Sequence, residues 1–205
     1  MTEDNILAVV LAGGKSERFG SNKSEIIIKD KKLIDYTLEK LKANFKKTII
    51  ISNDLNFNNY TTIKDCIDGQ LGPLAGVLSA MKWAKIHRGS FNWIATFPCD
   101  TPFFNISLIE KFKKASKTQD SKLYFAKAEN KRHNIFGLWS LDLIDQLEED
   151  LLVNSIRKVE DWANKIGVKT INFENEKYDT FFNINTKEDL KCASDILDKI
   201  NNDKL

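Results

Sequence analysis

Residues 6–23 read ILAVVLAGGKSERFGSNK and are the most informative part of the sequence for the fold class. Its first part, Ile6–Leu11, is an unbroken apolar run with two valines, which is typical of a strand buried on both faces. Gly13 and Gly14 follow the run almost directly. Glycines let the backbone approach a ligand closely, and successive loop amides can point at an anion. The stretch predicts a buried strand that leads into a phosphate-binding loop, with a plain glycine turn as the alternative.

The charges of this loop favour the phosphate-binding interpretation. Arg18 and Lys23 place positive charge where a triphosphate would lie, so both are candidate catalytic residues that stabilise phosphate charge. The spacing fits neither a Walker loop, GxxxxGK[ST], nor the GxGxxG fingerprint, because Gly13 and Gly14 are adjacent.

The rest of the chain alternates strand-like runs with helical stripes. Strands are predicted over residues 6–11, 48–51, 61–63, 91–97, 123–128, 134–139 and 168–173. Amphipathic spacing predicts helices between them, including one over 155–166, and a last helix that opens at Thr186 with a capping box to Asp189. The alternation predicts an α/β fold: a three-layer α/β/α sandwich around a mostly parallel, Rossmann-like sheet. The length of 205 residues indicates a single domain over 1–205.

Ligands of such sheets bind at the carboxyl ends of the strands, and one predicted strand end carries a rigid carboxylate. Asp100 follows the strand over 91–97 and lies between Pro98 and Pro102. A carboxylate held in this way is suited to Mg²⁺ that bridges phosphate oxygens. Capping of the following turn is the alternative role for Asp100.

Composition excludes several classes of function. The chain has two histidines, three widely spaced cysteines and a net charge of +2, which argues against zinc chemistry, disulfides and nucleic-acid binding. It has no run of about 18 apolar residues, so no membrane span is expected. The acidic start, MTEDN, is unlike a secretory signal, so a cytoplasmic location is predicted.

Other polar residues at predicted strand ends are weaker candidates. Asn53 and Asp65 follow the second and third strands, where they could contact a base or ribose or simply cap a loop. Asn183 and Asn185 precede the last helix and are candidates for substrate contacts or for capping.

Three further features are ambiguous or favour a structural role. Residues 72–76, GPLAG, fit a helix start packed on the sheet and a close approach to a ligand equally well. Arg132 and His133 could reach an anionic substrate, but a solvated surface is the preferred interpretation. Cys99 has no histidine near it in sequence and is interpreted as packing.

Taken in order, these clusters resemble the molybdenum cofactor guanylyltransferases, a nucleotidyltransferase family. The family pattern LAGGxSxRMGxxK appears over 11–23 with Phe19 in place of methionine, and GPLAG at 72–76, PCDTP at 98–102 and NxNTxEDL at 183–190 also match. The resemblance covers most of the chain. It departs at Asn134 and Ile135, where relatives often have Pro-Thr.

The resemblance implies transfer of GMP from GTP to molybdenum-loaded molybdopterin, with release of pyrophosphate. Mg²⁺ is the implied cofactor, with Asp100 as its ligand, and molybdenum enzymes or their chaperones are further candidate partners. The implied nucleotide contacts are Leu11, Ala12, Gly13, Lys23, Asn53, Asp65 and Asp100. Gly14 is added to this set because it belongs to the glycine loop.

Two alternatives remain open at this stage. A nucleotidyltransferase of cytidylyl or sugar-phosphate type would use the same first loop. A nucleotide-binding module without turnover would bind GTP independently of Mg²⁺ and form no product.

Overall fold

The computed structural model describes residues 5–13, 23–67, 72–87, 91–174 and 178–202. Two of the predicted site residues, Gly14 and Arg18, lie outside these ranges. Within the described residues no helix combines the length and the apolar character needed to cross a membrane.

Seven strands form the central sheet within the described ranges. They are β1 (Ile6–Leu11), β4 (Thr48–Ile51), β5 (Thr61–Ile63), β6 (Trp93–Pro98), β7 (Leu123–Ala128), β8 (Lys131–Ser140) and β9 (Lys169–Phe173). Their order across the sheet is β5-β4-β1-β6-β8-β7-β9. Only β8 among them is antiparallel to its neighbours. The predicted mostly parallel sheet is therefore confirmed.

A small second sheet has no counterpart in the predictions. β2 (Ile27–Ile28) and β3 (Lys31–Lys32) form an antiparallel hairpin of two residues on each side. Strands this short carry too few residues for a hydrophobic pattern to be read from the sequence.

Helices cover both faces of the central sheet. The helices are α1 (Leu33–Asn44), α2 (Pro73–Ile86), α3 (Ser107–Thr118), α4 (Ile144–Leu152), α5 (Val159–Ile166) and α6 (Lys187–Asn202). Apolar side chains of α1 and α3 pack with one face of β1 and β6, whereas α2, α4 and α5 pack on the other face. The three-layer sandwich is confirmed. A third cluster joins α6 to β2 through Ile28, Ala193 and Leu197.

The helix predicted over 155–166 starts later than expected. Ser155 has a φ of 54°, and Lys158 is extended immediately before α5 begins at Val159. The left-handed conformation at Ser155 interrupts the helical path, so the apolar spacing before Val159 belongs to a loop.

The direction of β8 positions part of the site. Because β8 runs against β6, its first residues lie at the same edge of the sheet as the carboxyl ends of β1, β4, β5 and β6. The predicted strand over 134–139 begins three residues earlier in the structure, at Lys131. The hairpin between β7 and β8 therefore reaches the edge where ligands of parallel sheets bind.

A buried carboxylate links the outer helices. Asp150 of α4 has no solvent exposure and accepts hydrogen bonds from Trp162 Nε1 at 3.0 Å and Asn154 Nδ2 at 2.8 Å. It also pairs with Lys165 of α5 and accepts a bond from Gln146 Nε2 at 3.2 Å. Burial alone would raise the pKa of Asp150, but the bonds from Lys165, Asn154 and Gln146 outweigh it and hold that pKa below its ordinary value.

Candidate active site

A cavity of about 600 Å³ opens at the carboxyl edge of the sheet. This volume is within the usual range of small-molecule sites, roughly 300–1,000 Å³. The predicted site residues that line it are Leu11, Ala12, Gly13, Lys23, Asn53, Asp65, Asp100 and Asn183. The structure therefore brings residues 11–13, Lys23 and the acidic residue after β6 into one crevice.

The loop after β1 is held to its neighbours by backbone bonds. The Ala12 amide donates to the Ile51 carbonyl at 2.9 Å, and the Cys99 amide donates to the Leu11 carbonyl at 3.2 Å. The Ala12 amide is therefore already paired, so it is not one of the loop amides that can face a phosphate. Among the described residues, a Cβ atom built on Gly13 would meet nothing within 4 Å.

Lys23 joins two segments that are far apart in sequence. Its Nζ donates to Asp100 Oδ2 at 3.0 Å and also to Asn185 Oδ1, which is 162 residues away. The other carboxylate oxygen, Asp100 Oδ1, accepts from the Thr101 hydroxyl at 3.3 Å. Both Lys23 and Asp100 keep about a fifth of their side chains exposed, 21% and 19%, so ligands can reach them.

The segment before α6 is fixed beside Asp100. The Ile184 amide donates to the Asp100 carbonyl at 2.9 Å. Asp189 Oδ2 accepts the amides of Asn185 and Thr186, each at 2.8 Å, and the Asp189 amide donates to Thr186 Oγ1 at 3.1 Å. These bonds confirm the predicted capping box. The Asn185 amide in first place, together with Thr186 and nearby Lys23, lowers the pKa of Asp189.

The capping box has a testable role in placing Asn185. We expect Asp189→Ala to cost about 1 kcal/mol of unfolding free energy and to raise the KM for the nucleotide a few-fold, because Asn185 loses the anchor that holds it against Lys23. Urea unfolding and steady-state kinetics measure the two effects. The control is Glu188→Ala, an exposed acidic residue in the same first turn of α6. An unchanged KM for the nucleotide in Asp189→Ala would contradict the role of Asp189 in positioning Asn185.

Asn53 and Asp65 form a pair across the cavity wall. Asn53 Nδ2 donates to Asp65 Oδ2, and the Asp65 amide donates to Asn53 Oδ1, both at 2.8 Å. Within the described residues the second oxygen, Asp65 Oδ1, is buried without a hydrogen-bond partner. A buried acceptor left in this way costs about 1–3 kcal/mol.

The structure supports the packing interpretation of the 72–76 cluster, and the close approach of this cluster to a ligand stays a prediction. Gly72 has a φ of 79°, a conformation that favours glycine, and Pro73 begins α2. A Cβ on Gly76 would lie 3.2 Å from Ile51 Cγ2 and 3.3 Å from Leu11 Cδ2, so Gly76 allows α2 to pack closely on the sheet. Gly72, Pro73 and Gly76 also line the cavity.

Cys99 also lines the cavity but is a packing residue, as expected. It is 7% exposed, and burial together with the neighbouring Asp100 raises its pKa to about 12. The thiolate is the reactive form of cysteine, so this side chain is not a nucleophile near neutral pH.

The expectation of a solvated surface at Arg132 and His133 is wrong. Both residues line the cavity, together with Lys131, because β8 enters the sheet at this edge. Arg132 is held by Asn134 Oδ1 at 2.7 Å and Asn164 Oδ1 at 3.0 Å. The carboxyl-end rule considers only the loops after parallel strands, so it does not identify the first residues of an antiparallel strand.

The donor set around Asp100 fits Mg²⁺ rather than a dedicated metal cage. Within the described residues no group of three or more His, Cys, Asp or Glu side chains could hold a metal ion. Magnesium commonly uses one or two protein carboxylates and takes its remaining ligands from water and substrate phosphates. One accessible carboxylate in this cavity meets that need.

A mostly parallel sheet with a Lys–Asp pair and an Asn–Asp pair in one cavity at its carboxyl edge matches the site expected of a nucleotidyltransferase, and the family comparison shows that class. The chain belongs to the family described as the MobA-like NTP transferase domain, which matches residues 8–166.

Named relatives agree with this family. The molybdenum cofactor guanylyltransferase of Rhizobium rhizogenes strain K84 is 31% identical over 189 residues, covering 88% of this chain and 87% of that protein. The protein of the same name from Rhizobium leguminosarum bv. trifolii strain WSM2304 is 32% identical over 193 residues, covering 92% and 91%. Molybdopterin-guanine dinucleotide biosynthesis protein A from Archaeoglobus fulgidus superposes with a TM-score of 0.75 at 26% identity, covering 94% of this chain and 99% of that one.

Proposed function

We propose that this enzyme transfers GMP from GTP to the phosphate of molybdenum-loaded molybdopterin, forming the guanine dinucleotide cofactor and pyrophosphate. The observation that carries the proposal is the single cavity shared by the Lys23–Asp100 pair and the Asn53–Asp65 pair. The names of the relatives support this acceptor over a cytidylyl or sugar-phosphate one.

The nucleotide is assigned to the half of the cavity formed by β1, β4 and β5. Leu11, Ala12 and Gly13 border the triphosphate, and Gly14 and Arg18 continue that loop. Asn53 and Asp65 contact the nucleoside through hydrogen bonds to its base or ribose. Lys23 binds the phosphates.

Mg²⁺ is the proposed cofactor, with Asp100 as its protein ligand. When bound, it supplies charge neutralisation across the phosphate oxygens. Asp100 is anchored for this task through its own backbone, because its carbonyl accepts the Ile184 amide.

The reaction needs positioning more than proton transfer. A terminal phosphate oxygen of the acceptor attacks the α-phosphorus of GTP while the bond to the bridging oxygen of pyrophosphate breaks, in line with the attack. A phosphate oxygen is already anionic, so no strong general base is required. The Lys23 ammonium stabilises the developing charge, and Asn185 holds that ammonium in place. Asn183 lines the same cavity and is assigned to the substrate.

One mixture tests this function. The full chain, GTP, Mg²⁺ and molybdenum-loaded molybdopterin should yield the guanine dinucleotide by mass spectrometry, with one pyrophosphate for each product. Each of the four nucleoside triphosphates is supplied separately. Pyrophosphate release with CTP but not GTP would contradict guanylyl transfer, and Mg²⁺-independent GTP binding without any product would indicate a binding module.

Removal of the Lys23 ammonium should weaken GTP binding. Lys23→Ala loses a charge-assisted hydrogen bond worth about 1.5–3 kcal/mol, so the Kd for GTP should rise roughly 10–100-fold. Calorimetry with GTP and Mg²⁺ measures this change. Lys32→Ala is the matched control, because Lys32 lies nearby in sequence and pairs with Glu25 in an exposed bridge. An unchanged Kd in Lys23→Ala would exclude Lys23 from the phosphate site.

The setting of the enzyme is part of the same proposal. We assign residues 1–205 to a single nucleotidyltransferase domain that acts in the cytoplasm. Its product would pass to molybdenum enzymes or to their chaperones.

A further inference from the structure

The wall of the cavity opposite Asn53 and Asp65 is aromatic. His133 stacks on Phe181 with ring centroids 4.1 Å apart and an interplanar angle of 17°. Phe136 and Phe173 meet Phe181 edge-on, at 5.1 Å and 5.8 Å. Phe181 is 6% exposed, so a packed cluster holds the His133 ring in one plane.

His133 contributes to the wall of the cavity. Phe181 covers one face of its imidazole, and the residue as a whole is half-buried. Burial first, and then the charge of Lys131, lowers the pKa of His133 against the opposing effect of Asp179. The ring is therefore mainly neutral at pH 7.

The lining of the cavity extends across five neighbouring strands, from Asp65 after β5 to His133 on β8. Neighbouring strands lie about 4.8 Å apart, so the four spacings from β5 to β8 span roughly 19 Å. Asp100 follows β6, which is three spacings from β5 and one from β8. If Asn53 and Asp65 hold the nucleoside, the end of the cavity next to β8 (the β8 end) is left for the second substrate.

Charge at the β8 end suits an anionic partner. Lys131 lines the cavity and has an exposed side chain next to the stacked ring. A flat neutral ring with a cation beside it matches a planar heterocycle that carries a phosphate group.

We propose that His133, backed by Phe181, is the platform on which the planar ring system of the acceptor stacks while its phosphate reaches towards Asp100. This inference rests on the proposed function, because it names the site of the second substrate. His133 is a positioning residue and takes no part in bond making. In this proposal the flat shape of the His133 ring, rather than its nitrogens, holds the acceptor.

Two substitutions separate the ring plane from side-chain bulk. His133→Leu keeps most of the volume against Phe181 but removes the flat ring, whereas His133→Phe keeps a flat ring and removes the nitrogens. Loss of one stacking contact should raise the KM for molybdenum-loaded molybdopterin roughly tenfold in His133→Leu. His133→Phe should stay within about twofold of the unsubstituted enzyme. The KM for GTP should be unchanged in both.

Several outcomes would contradict the proposed stacking role of His133. They are an unchanged acceptor KM in His133→Leu, an equal rise in His133→Phe, or a rise in the KM for GTP in place of the acceptor. Calorimetric binding of the acceptor without GTP gives a second readout that needs no turnover. Failure of the unsubstituted enzyme to form the dinucleotide would instead contradict the proposed function itself.

Discussion

Asp100→Asn is expected to lower kcat roughly a thousandfold, because a neutral amide is a poor ligand for Mg²⁺ and several kcal/mol of charge stabilisation are lost. The amide oxygen of the substituted side chain would still accept the hydrogen bond from Lys23, so the fold should be retained. Initial rates of pyrophosphate release with GTP and the pterin acceptor, at a series of Mg²⁺ concentrations, measure the effect. The melting temperature checks that the variant is folded.

The informative comparison is with a nucleoside contact in the same cavity. Asn53→Ala should mainly raise the KM for GTP, because Asn53 is assigned to the nucleoside and bonds Asp65. If the two variants lower kcat equally, Asp100 has no special part in the chemistry. Partial recovery of Asp100→Asn at high Mg²⁺ would support the ligand assignment.

Asp150→Ala is expected to lower the free energy of unfolding by about 3–5 kcal/mol. The substitution leaves the buried Trp162 N–H without its acceptor and breaks the link between α4 and α5 through Lys165. Urea unfolding measures the loss. Asp145→Ala is the control from the same helix, since its carboxylate is 89% exposed and its removal should change stability by less than about 0.5 kcal/mol. A change of less than about 0.5 kcal/mol for Asp150→Ala would show that the hydrogen bonds to Asp150 add little to the free energy of unfolding.

The pH dependence of stability at this position follows from the lowered pKa of Asp150. A carboxylate whose pKa is lower in the folded state stabilises the fold above its unfolded pKa, about 3.9 for aspartate. That contribution disappears as the pH falls through the folded pKa. The difference in free energy of unfolding between the parent chain and Asp150→Asn should therefore be largest near pH 7 and should decrease below about pH 4.

Most of the fold could be predicted because its signals are local. The apolar runs of β1, β4 and β6 and the stripes of α1 and α2 report burial and period within single segments. Parallel strands place their carboxyl ends at one edge, so Asn53, Asp65 and Asp100 could be expected together. The structure places all three in one cavity.

The missed features depend on partners that local patterns do not reveal. The entry of β8 brings His133 into the site, and an isolated histidine in a strand does not indicate the stack on Phe181, which lies far along the chain. The burial of Asp150 is equally hidden, because an aspartate near a helix end normally lies at the surface.

The class of the protein could be predicted from residues that are neighbours in the chain. A buried strand, a glycine loop and a proline-flanked aspartate indicate the strand, the loop and the type of ligand. Tertiary structure decided which side chains meet, such as Lys23 with Asn185 and His133 with Phe181. The physical reason is that period and turn chemistry act over a few residues, whereas strand order and direction set the contacts between distant segments.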